Sequence, residues 1–469
     1  MTPSRHRLAL LLLILWLWTS PGISVSAHGQ GKPVNCERSA EQLTGRLELC
    51  QRYRVDQIEV EGLFRTRRYV VERELVFEEG DVATLAEIEE SVQRLRNTGL
   101  FRTVAYDLVD QRLVAVVGED LPQLGDGEHD GRLLRLSVDE RWTLLPQTRF
   151  SRGGGVLHLI LGLSDANLFG TYLQLGGYYE RLGPANSFAL WFRDPRFLGE
   201  RLVLSADAGI SNRVVALYAR DGALEGGFLL ERQFASLALE KEWRWWWRTG
   251  VGLGVVNDAF GYTLVSETMR SGQEHLGGLP DAQAALSLSV SSRWGRLNLD
   301  NYLVDGAQFS LRLGRYITVP ELETQFTRLD ATVLHFTTLP LKSTLALRMA
   351  VGLSDARAAH HAYFAGGLDA VRGFVNQRFR GNFYALTNAE FRIPSFDMRW
   401  IAVQHVFFVD GLGISDHAFE IFGLRAASAG VGLRFVSPKI YGFLARIDFA
   451  FQLEGGSGPS LSFGGGQFF

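Results

Sequence analysis

From about residue 143 onward, apolar and polar positions alternate with a two-residue period, and helical periodicity disappears. The segment Tyr441–Leu453 shows this best, because Phe443, Phe449 and Phe451 share one face while small and charged residues occupy the other. This long strand carries aromatic residues near both ends, which is typical of a transmembrane β-barrel rather than a soluble sandwich. At about 20 residues per strand and turn, the remaining 327 residues (469 − 142) predict roughly 16 antiparallel strands.

Residues 53–142 follow a different pattern and predict one small α+β domain, which leaves 143–469 for the barrel. An alternating segment from Val55 to Val60 predicts a strand, and apolar residues at helical spacing from Leu85 to Leu95 predict an amphipathic helix. The order strand–helix–helix–strand–strand fits one small domain. The other predicted elements are a helix over Tyr69–Phe77 and strands near residues 104–108 and 134–138.

The chain begins with the pattern of a secretory signal peptide. An apolar run from Leu8 to Trp18 follows basic residues and is shorter than the about 20 residues that span a membrane as a helix. Small residues at Val25 and Ala27 complete a cleavage site. We therefore predict that residues 1–27 are a signal peptide and that the mature chain is exported.

Net charge and cysteine content limit the functions that the protein can have. The formal net charge of −3 gives no electrostatic reason to expect nucleic acid as a partner. The two cysteines, Cys36 and Cys50, lie in the N-terminal segment 28–52, where an oxidising compartment lets them form a structural disulfide. Two cysteines cannot build a zinc ribbon.

The sequence gives no support for catalytic or metal chemistry. No G-x-S-x-G elbow is present to carry a nucleophilic serine. The adjacent histidines His360 and His361 are predicted to be solvated in an external loop and to lack a third ligand or a rigid scaffold. We therefore predict that the protein is not an enzyme and holds neither a metal nor a cofactor.

Two segments carry a family resemblance. Val371, Arg372, Gly373 and Phe374 form a V-R-G-F motif in a long loop of the predicted barrel. Through this motif, the chain resembles the superfamily of outer-membrane assembly and translocation barrels that includes BamA and TamA. The second segment is the α+β domain, which resembles a POTRA domain. Other residues that match are Gly62, Gly80-Asp81, Gly99-Leu100-Phe101, Gly366-Gly367, Arg380-Gly381-Asn382, Asn388, Glu390, Arg392 and Pro394.

The resemblance implies a barrel in the bacterial outer membrane with its POTRA-like domain in the periplasm. Its partners would be outer-membrane lipid, unfolded polypeptide clients and periplasmic accessory proteins that bind the POTRA-like domain. The chain departs from the family in two ways. It has room for one POTRA domain where BamA-like proteins carry several, and its F-x-D-x-G strand motif keeps Phe408 and Asp410 but has Leu412 in place of the glycine.

Strand alternation indicates which side of the barrel wall the charged side chains near the motif face. If Phe391 and Phe407 face lipid, their neighbours Glu390 and Asp410 face the lumen. An arginine inside a lumen needs a carboxylate partner. We therefore predict that the external loop, about residues 354–382, folds into the barrel so that Arg372 pairs with Asp410, with Glu390 as a further candidate partner.

The end of the chain predicts the closing strand of the barrel. Leu461, Phe463 and Phe469 are expected on one face of this strand, and the two phenylalanines match the terminal signal of outer-membrane barrels. We expect Ser460–Phe469 to pair with a first strand at Gly155–Leu163. Three consecutive glycines at 464–466 predict that this seam is weak.

Three functions remain open at this level. The first is a barrel that inserts, assembles or translocates polypeptides at the outer membrane. The second is a two-partner-type secretion pore that exports one dedicated client through the same plugged barrel. The third is a passive channel or a structural surface protein.

Overall fold

The computed structural model describes residues 51–110, 131–153, 156–219, 222–319, 325–367, 370–454, 458–465 and 469. The predicted signal peptide and the predicted disulfide between Cys36 and Cys50 lie outside these residues. Within the described ranges, no helix has both the length and the apolar character needed to cross a membrane.

The first region is a four-stranded mixed sheet packed against two helices. The elements are β1 (Arg52–Glu61), α1 (Arg68–Glu72), β2 (Val82–Thr84), α2 (Leu85–Asn97), β3 (Phe101–Asp110) and β4 (Gly131–Glu140). The strand order is β2-β1-β4-β3, with β1 parallel to β4 and the other neighbours antiparallel. The short strand β2 was not predicted, and the first helix is shorter than expected.

Local chemistry sets the ends of these elements. Helix α2 begins at a capping box, in which Thr84 Oγ1 accepts from the Glu87 backbone N–H at 3.2 Å and Glu87 Oε2 accepts from the Thr84 N–H at 2.8 Å. Its apolar stripe, which includes Ile88, is buried against the sheet. Gly62 ends β1 at a φ of 89°, where a Cβ would lie 2.1 Å from the carbonyl oxygen of Val138, so a glycine is required there.

Sixteen antiparallel strands then close into a barrel, which confirms the predicted fold class and strand number. Outward positions are apolar, as in the strand Trp247–Gly261, where Val251, Leu253 and Val255 are each about half exposed. The connection that follows this strand contains helix α3 (Glu267–His275). The barrel strands are β5 (Leu144–Gly153), β6 (Val156–Leu168), β7 (Leu173–Leu182), β8 (Ala185–Asp194), β9 (Leu202–Tyr218), β10 (Leu224–Arg244), β11 (Trp247–Gly261), β12 (Gln283–Asp300), β13 (Leu303–Val319), β14 (Phe326–Thr338), β15 (Thr344–Ser354), β18 (Phe383–Asp397), β19 (Ala402–Ser415), β20 (Ala426–Val436), β21 (Leu444–Glu454) and β22 (Pro459–Gly465).

The connection between β15 and β18, residues 355–382, is called the plug loop below. It contains a two-stranded sheet of β16 (Tyr363–Ala365) and β17 (Phe379–Gly381). Because odd-numbered strands from β5 to β15 run away from the first region, the plug loop starts at the opposite end of the barrel from that region.

The expected seam is wrong by one strand. The last strand, β22, pairs with β5, and Phe463 lies opposite Arg152. The predicted first strand, Gly155–Leu163, instead falls mostly within β6. Strand β5 escaped prediction because its polar central residues, after Pro146, interrupt the alternation of apolar positions.

Candidate functional site

The plug loop folds into the barrel lumen and is anchored there by apolar contacts. Val371 and Phe374 are 0% and 2% exposed. They belong to one buried cluster with Leu386 of β18 and Leu412 of β19, which point inward from the wall. Burial of these side chains stabilises the inward position of the loop.

Arg372 lies at the centre of this arrangement and is fully buried. Its Nε and Nη2 donate to the two carboxylate oxygens of Asp410 at 2.8 and 2.7 Å, and its Nη1 donates to Glu390 Oε1 at 2.5 Å. Its backbone N–H also donates to Asp410, at 3.1 Å. Burial opposes the charged guanidinium, but Asp410 and Glu390 outweigh it and raise the pKa of Arg372 above its ordinary value.

The ion pairs extend beyond the residues that the sequence predicted. Arg434 donates to Glu390 at 2.9 Å and to Asp448 at 2.7 Å, and Arg392 lies 2.7 Å from Glu390. We call Arg372, Glu390, Arg392, Asp410, Arg434 and Asp448 the lumenal ion cluster; each is at most 4% exposed. Sequence alternation could have found the two missed members, because Arg434 and Asp448 both neighbour outward-facing apolar residues in their strands.

Polar and glycine contacts fix the loop against the cluster. Asn388 Nδ2 donates at 2.9 Å both to the carbonyl oxygen of Ala370 and to Asp410. Gly373 has a φ of 96° and lies where a Cβ would approach Ala450 at 3.3 Å, so the turn after Arg372 favours glycine. The Arg372 guanidinium carbon also lies 3.6 Å from the ring centroid of Phe408.

At the other end of the barrel, the α+β region is joined to the wall by a second set of buried ion pairs. Arg94 of α2 donates to Glu242 of β10 at 2.9 Å, and Arg196 donates to Glu74 at 2.5 Å. Arg248 donates to the second oxygen of Glu242 at 2.7 Å. We call these five residues the basal latch. No sequence signal marked the two pairs that join the α+β region to the wall, because Arg94 and Glu242, like Glu74 and Arg196, lie far apart in the chain.

A polar cavity lies beside the basal latch. Its volume is about 200 Å³, and its lining includes Tyr172, Gln174 and Trp245 besides members of the latch. Arg296, which also lines the cavity, holds Glu90 of α2 by two hydrogen bonds of 2.7 and 3.0 Å. The α+β region is therefore fixed directly beneath the barrel wall on this side.

The expectation for the histidine pair is wrong. His360 and His361 are 4% and 7% exposed rather than solvated, and burial lowers the pKa of His360 to about 4. A third group, the carboxylate of Asp258, lies within 4.8 Å of both imidazoles. The loop brings the pair to the barrel wall, which a sequence pattern cannot show.

The two terminal phenylalanines, Phe463 and Phe469, lie in different places in the structure. The ring of Phe463 in β22 stacks on Phe150 of β5 at 5.3 Å, so it contributes to the seam. Phe469 was expected on the same strand face, but β22 ends at Gly465. The ring of Phe469 instead lies 6.4 Å from Phe336 and 5.7 Å from the guanidinium carbon of Arg392. Its role as a terminal signal remains a prediction.

Comparison with known proteins covers both regions. The profile of the Omp85 superfamily domain matches residues 167–469, and that of a POTRA domain, described as a surface antigen variable number repeat, matches residues 53–140. No curated protein sequence matches the chain.

Solved structures share the fold at low sequence identity. BamA from Haemophilus ducreyi lacking POTRA domains 1–3 is 17% identical with a TM-score of 0.51, over 88% of this chain and 84% of that one. CdiB from Acinetobacter baumannii is 15% identical with a TM-score of 0.53, over 88% and 73% of the two chains. CdiB from Escherichia coli is 13% identical with a TM-score of 0.52, over 99% of each chain.

Proposed function

Because the chain belongs to the Omp85 superfamily, we propose that it inserts, assembles or translocates polypeptides at the bacterial outer membrane. Barrels of this family lie in the outer membrane with their POTRA domains in the periplasm. In our proposal the chain is exported by its signal peptide, takes that orientation, and acts on unfolded polypeptide without catalytic chemistry.

The observation that carries this proposal is the position of the POTRA domain. The basal latch and the Arg296–Glu90 pair fix α2 to the barrel wall. Within the described sheet, β3 pairs with β4 on one side and forms the edge on the other. An edge strand can bind an extended peptide by adding a strand, which gives affinity without demanding one sequence. A client or accessory protein captured on β3 would thus be held at the mouth of the barrel.

The plugged lumen argues against a passive channel. A channel for small solutes gains nothing from a loop that is tied to the wall by fully buried charges. In our proposal such a loop obstructs the lumen at rest, which suits a barrel that opens only for its client. The lumenal ion cluster would keep the plug loop in one orientation between transport events.

Depletion of the protein in its source bacterium tests the proposal. We expect quantitative proteomics of the outer membrane to show loss of several barrel proteins, and complementation with the unmodified chain to restore them. Complementation with Arg372→Ala should restore them only in part, although the variant barrel reaches the membrane. An unchanged outer-membrane and secreted proteome after depletion would rule the proposal out.

A dedicated secretion pore is the second candidate. It is favoured by the presence of a single recognised POTRA domain and by the fold match to CdiB over nearly the whole of both chains. In that case, depletion should remove one large exported protein from the culture medium and leave the outer-membrane barrels at their normal level. The same proteomic experiment therefore separates the two candidates.

A further inference from the structure

The adjacent histidines of the plug loop face one point in space. His360 and His361 form the end of a short 3-10 turn, Ala359–His361, just after β15. The side-chain amide nitrogen of Gln283, at the start of β12, lies 2.7 Å from Nε2 of His360 and 2.6 Å from Nε2 of His361. The two Nε2 atoms therefore converge on the position that this single amide atom occupies.

The carboxylate of Asp258 on β11 completes the group. It is 1% exposed, and its oxygen and the two imidazole nitrogens all lie within 4.8 Å of one another. Arg232 holds the carboxylate in place through two hydrogen bonds of 2.7 Å each. A carboxylate keeps lone pairs for further ligands when it accepts two such bonds.

Aromatic packing fixes both imidazole rings. The ring of Phe260 lies 4.7 Å from that of His360, and the ring of Phe326 lies 4.4 Å from that of His361. Arg328 also donates to the backbone carbonyl of His361 at 2.5 Å. Because the rings cannot turn freely, the convergence of their nitrogens is a property of the folded barrel rather than of a mobile loop.

We propose that His360, His361 and Asp258 form a binding site for a divalent transition metal such as Zn²⁺ or Ni²⁺. Two imidazoles and one carboxylate are the donor set of many zinc sites, which leave a further position for water or another ligand. Zinc ligands lie about 2.0–2.1 Å from the metal, so the three side chains must close inward slightly and the Gln283 amide must swing aside.

The surrounding charges favour such a metal over calcium or magnesium. Arg232 and Arg328 lie beside the group and repel any cation, so binding must come from strong metal–nitrogen bonds rather than from net negative charge. Calcium and magnesium prefer oxygen ligands and gain little from imidazole. The site is therefore expected to discriminate by ligand chemistry.

Metal binding would tie the plug loop to the barrel wall. Asp258 belongs to β11, four strands away from β15, from which the loop departs. A metal bridging Asp258 and the histidine pair would thus join the start of the loop to a distant part of the rim. This attachment is separate from the lumenal ion cluster, and the inference does not depend on the proposed function.

The test uses the full chain, purified in detergent micelles without a histidine tag and stripped of metal by a chelator. Titration with Co²⁺ is followed by visible absorption, and titration with Zn²⁺ and Ca²⁺ by calorimetry. We expect one equivalent of Co²⁺ or Zn²⁺ to bind and Ca²⁺ not to bind. The double variant His360→Ala/His361→Ala should lower the affinity at least about tenfold, whereas His275→Ala, at an exposed position of α3, should leave it unchanged.

The following outcomes would rule out the proposed metal site. Absence of one-equivalent binding by the unmodified chain overturns the proposal, as does unchanged affinity in the double histidine variant. Circular dichroism reports whether that variant folds. If it does not fold, the Asp258→Asn variant is titrated instead, because it removes the carboxylate charge while keeping the shape of the side chain. Full metal affinity in Asp258→Asn would also overturn the assignment.

Discussion

Arg372→Ala is expected to destabilise the plugged barrel, mainly by leaving Asp410 without its arginine. In the native cluster, Asp410 accepts three hydrogen bonds from Arg372. The substitution removes the two side-chain bonds, and Asp410 keeps the backbone N–H of residue 372 at 3.1 Å, Asn388 at 2.9 Å and Ser428 at 3.4 Å, all of which are neutral donors. Glu390 is less affected, because Arg392 and Arg434 remain close to it.

The hydrogen-bond and ion-pair distances indicate how much folding free energy each substitution should cost. Removing one partner of a buried ion pair costs about 3–5 kcal/mol, and we expect about 4 kcal/mol for Arg372→Ala. Asp410→Ala should cost less, about 2 kcal/mol, because Arg372 keeps Glu390 at 2.5 Å and lies 3.7 Å from Asp448. In the double variant no charge is left alone, so the expected cost is about 3 kcal/mol rather than the additive value of about 6 kcal/mol, a coupling energy of about 3 kcal/mol.

Denaturant unfolding of the purified barrel measures these free energies, with tryptophan fluorescence as the signal. Arg380→Ala serves as the matched control, because Arg380 is an exposed arginine of the same loop. Arg372→Lys should fall between the native chain and Arg372→Ala, since lysine keeps the charge but cannot form the two-pronged contact. Additive single effects, within about 0.5 kcal/mol, would refute the proposed coupling.

Three further predictions concern the α+β region and the seam. The isolated fragment 53–142 should fold on its own, with a cooperative melt by circular dichroism; a random-coil spectrum would contradict this boundary. Glu242→Gln should weaken the basal latch and speed amide hydrogen exchange in α2, whereas the more exposed Glu240→Gln should not; equal protection in both variants would argue against the latch. The disulfide-forming pair Arg152→Cys/Phe463→Cys should give a barrel that inserts but is inactive until reduced, and full activity while locked would mean that the seam stays shut.

The sequence predicted the centre of the lumenal ion cluster because strand alternation is a strict geometric rule. Once Phe391 and Phe407 are assigned to lipid, the inward direction of Glu390 and Asp410 follows. The position of Arg372 needed one more step, namely that a loop arginine is buried only beside a carboxylate. The structure shows the three side chains in contact, while their role in function remains a proposal.

The basal latch and the histidine group could not be predicted in the same way. Their members come from segments that alternation orients but does not bring together. The register of β10 places Glu242 at the rim, yet only the docking of α2 places Arg94 against it. Likewise, the pairing of His360 with Asp258 depends on the path of an irregular loop, for which the sequence carries no periodic signal.

The plug loop and the α+β region are both held to the barrel wall by buried ion pairs, and the energetics of such pairs suit reversible attachment. A buried ion pair often stabilises a fold no more than an apolar contact of the same size, because the cost of desolvating the charges offsets their attraction. When a plug held in this way leaves the lumen, water solvates the charges again and recovers much of that desolvation energy. A plug held by apolar contacts alone would instead expose its whole apolar surface to water. The V-R-G-F loop combines a small apolar anchor around Val371 and Phe374 with a fully charged centre at Arg372. It is therefore oriented strongly but bound with a modest net free energy, and the binding of a client could displace it.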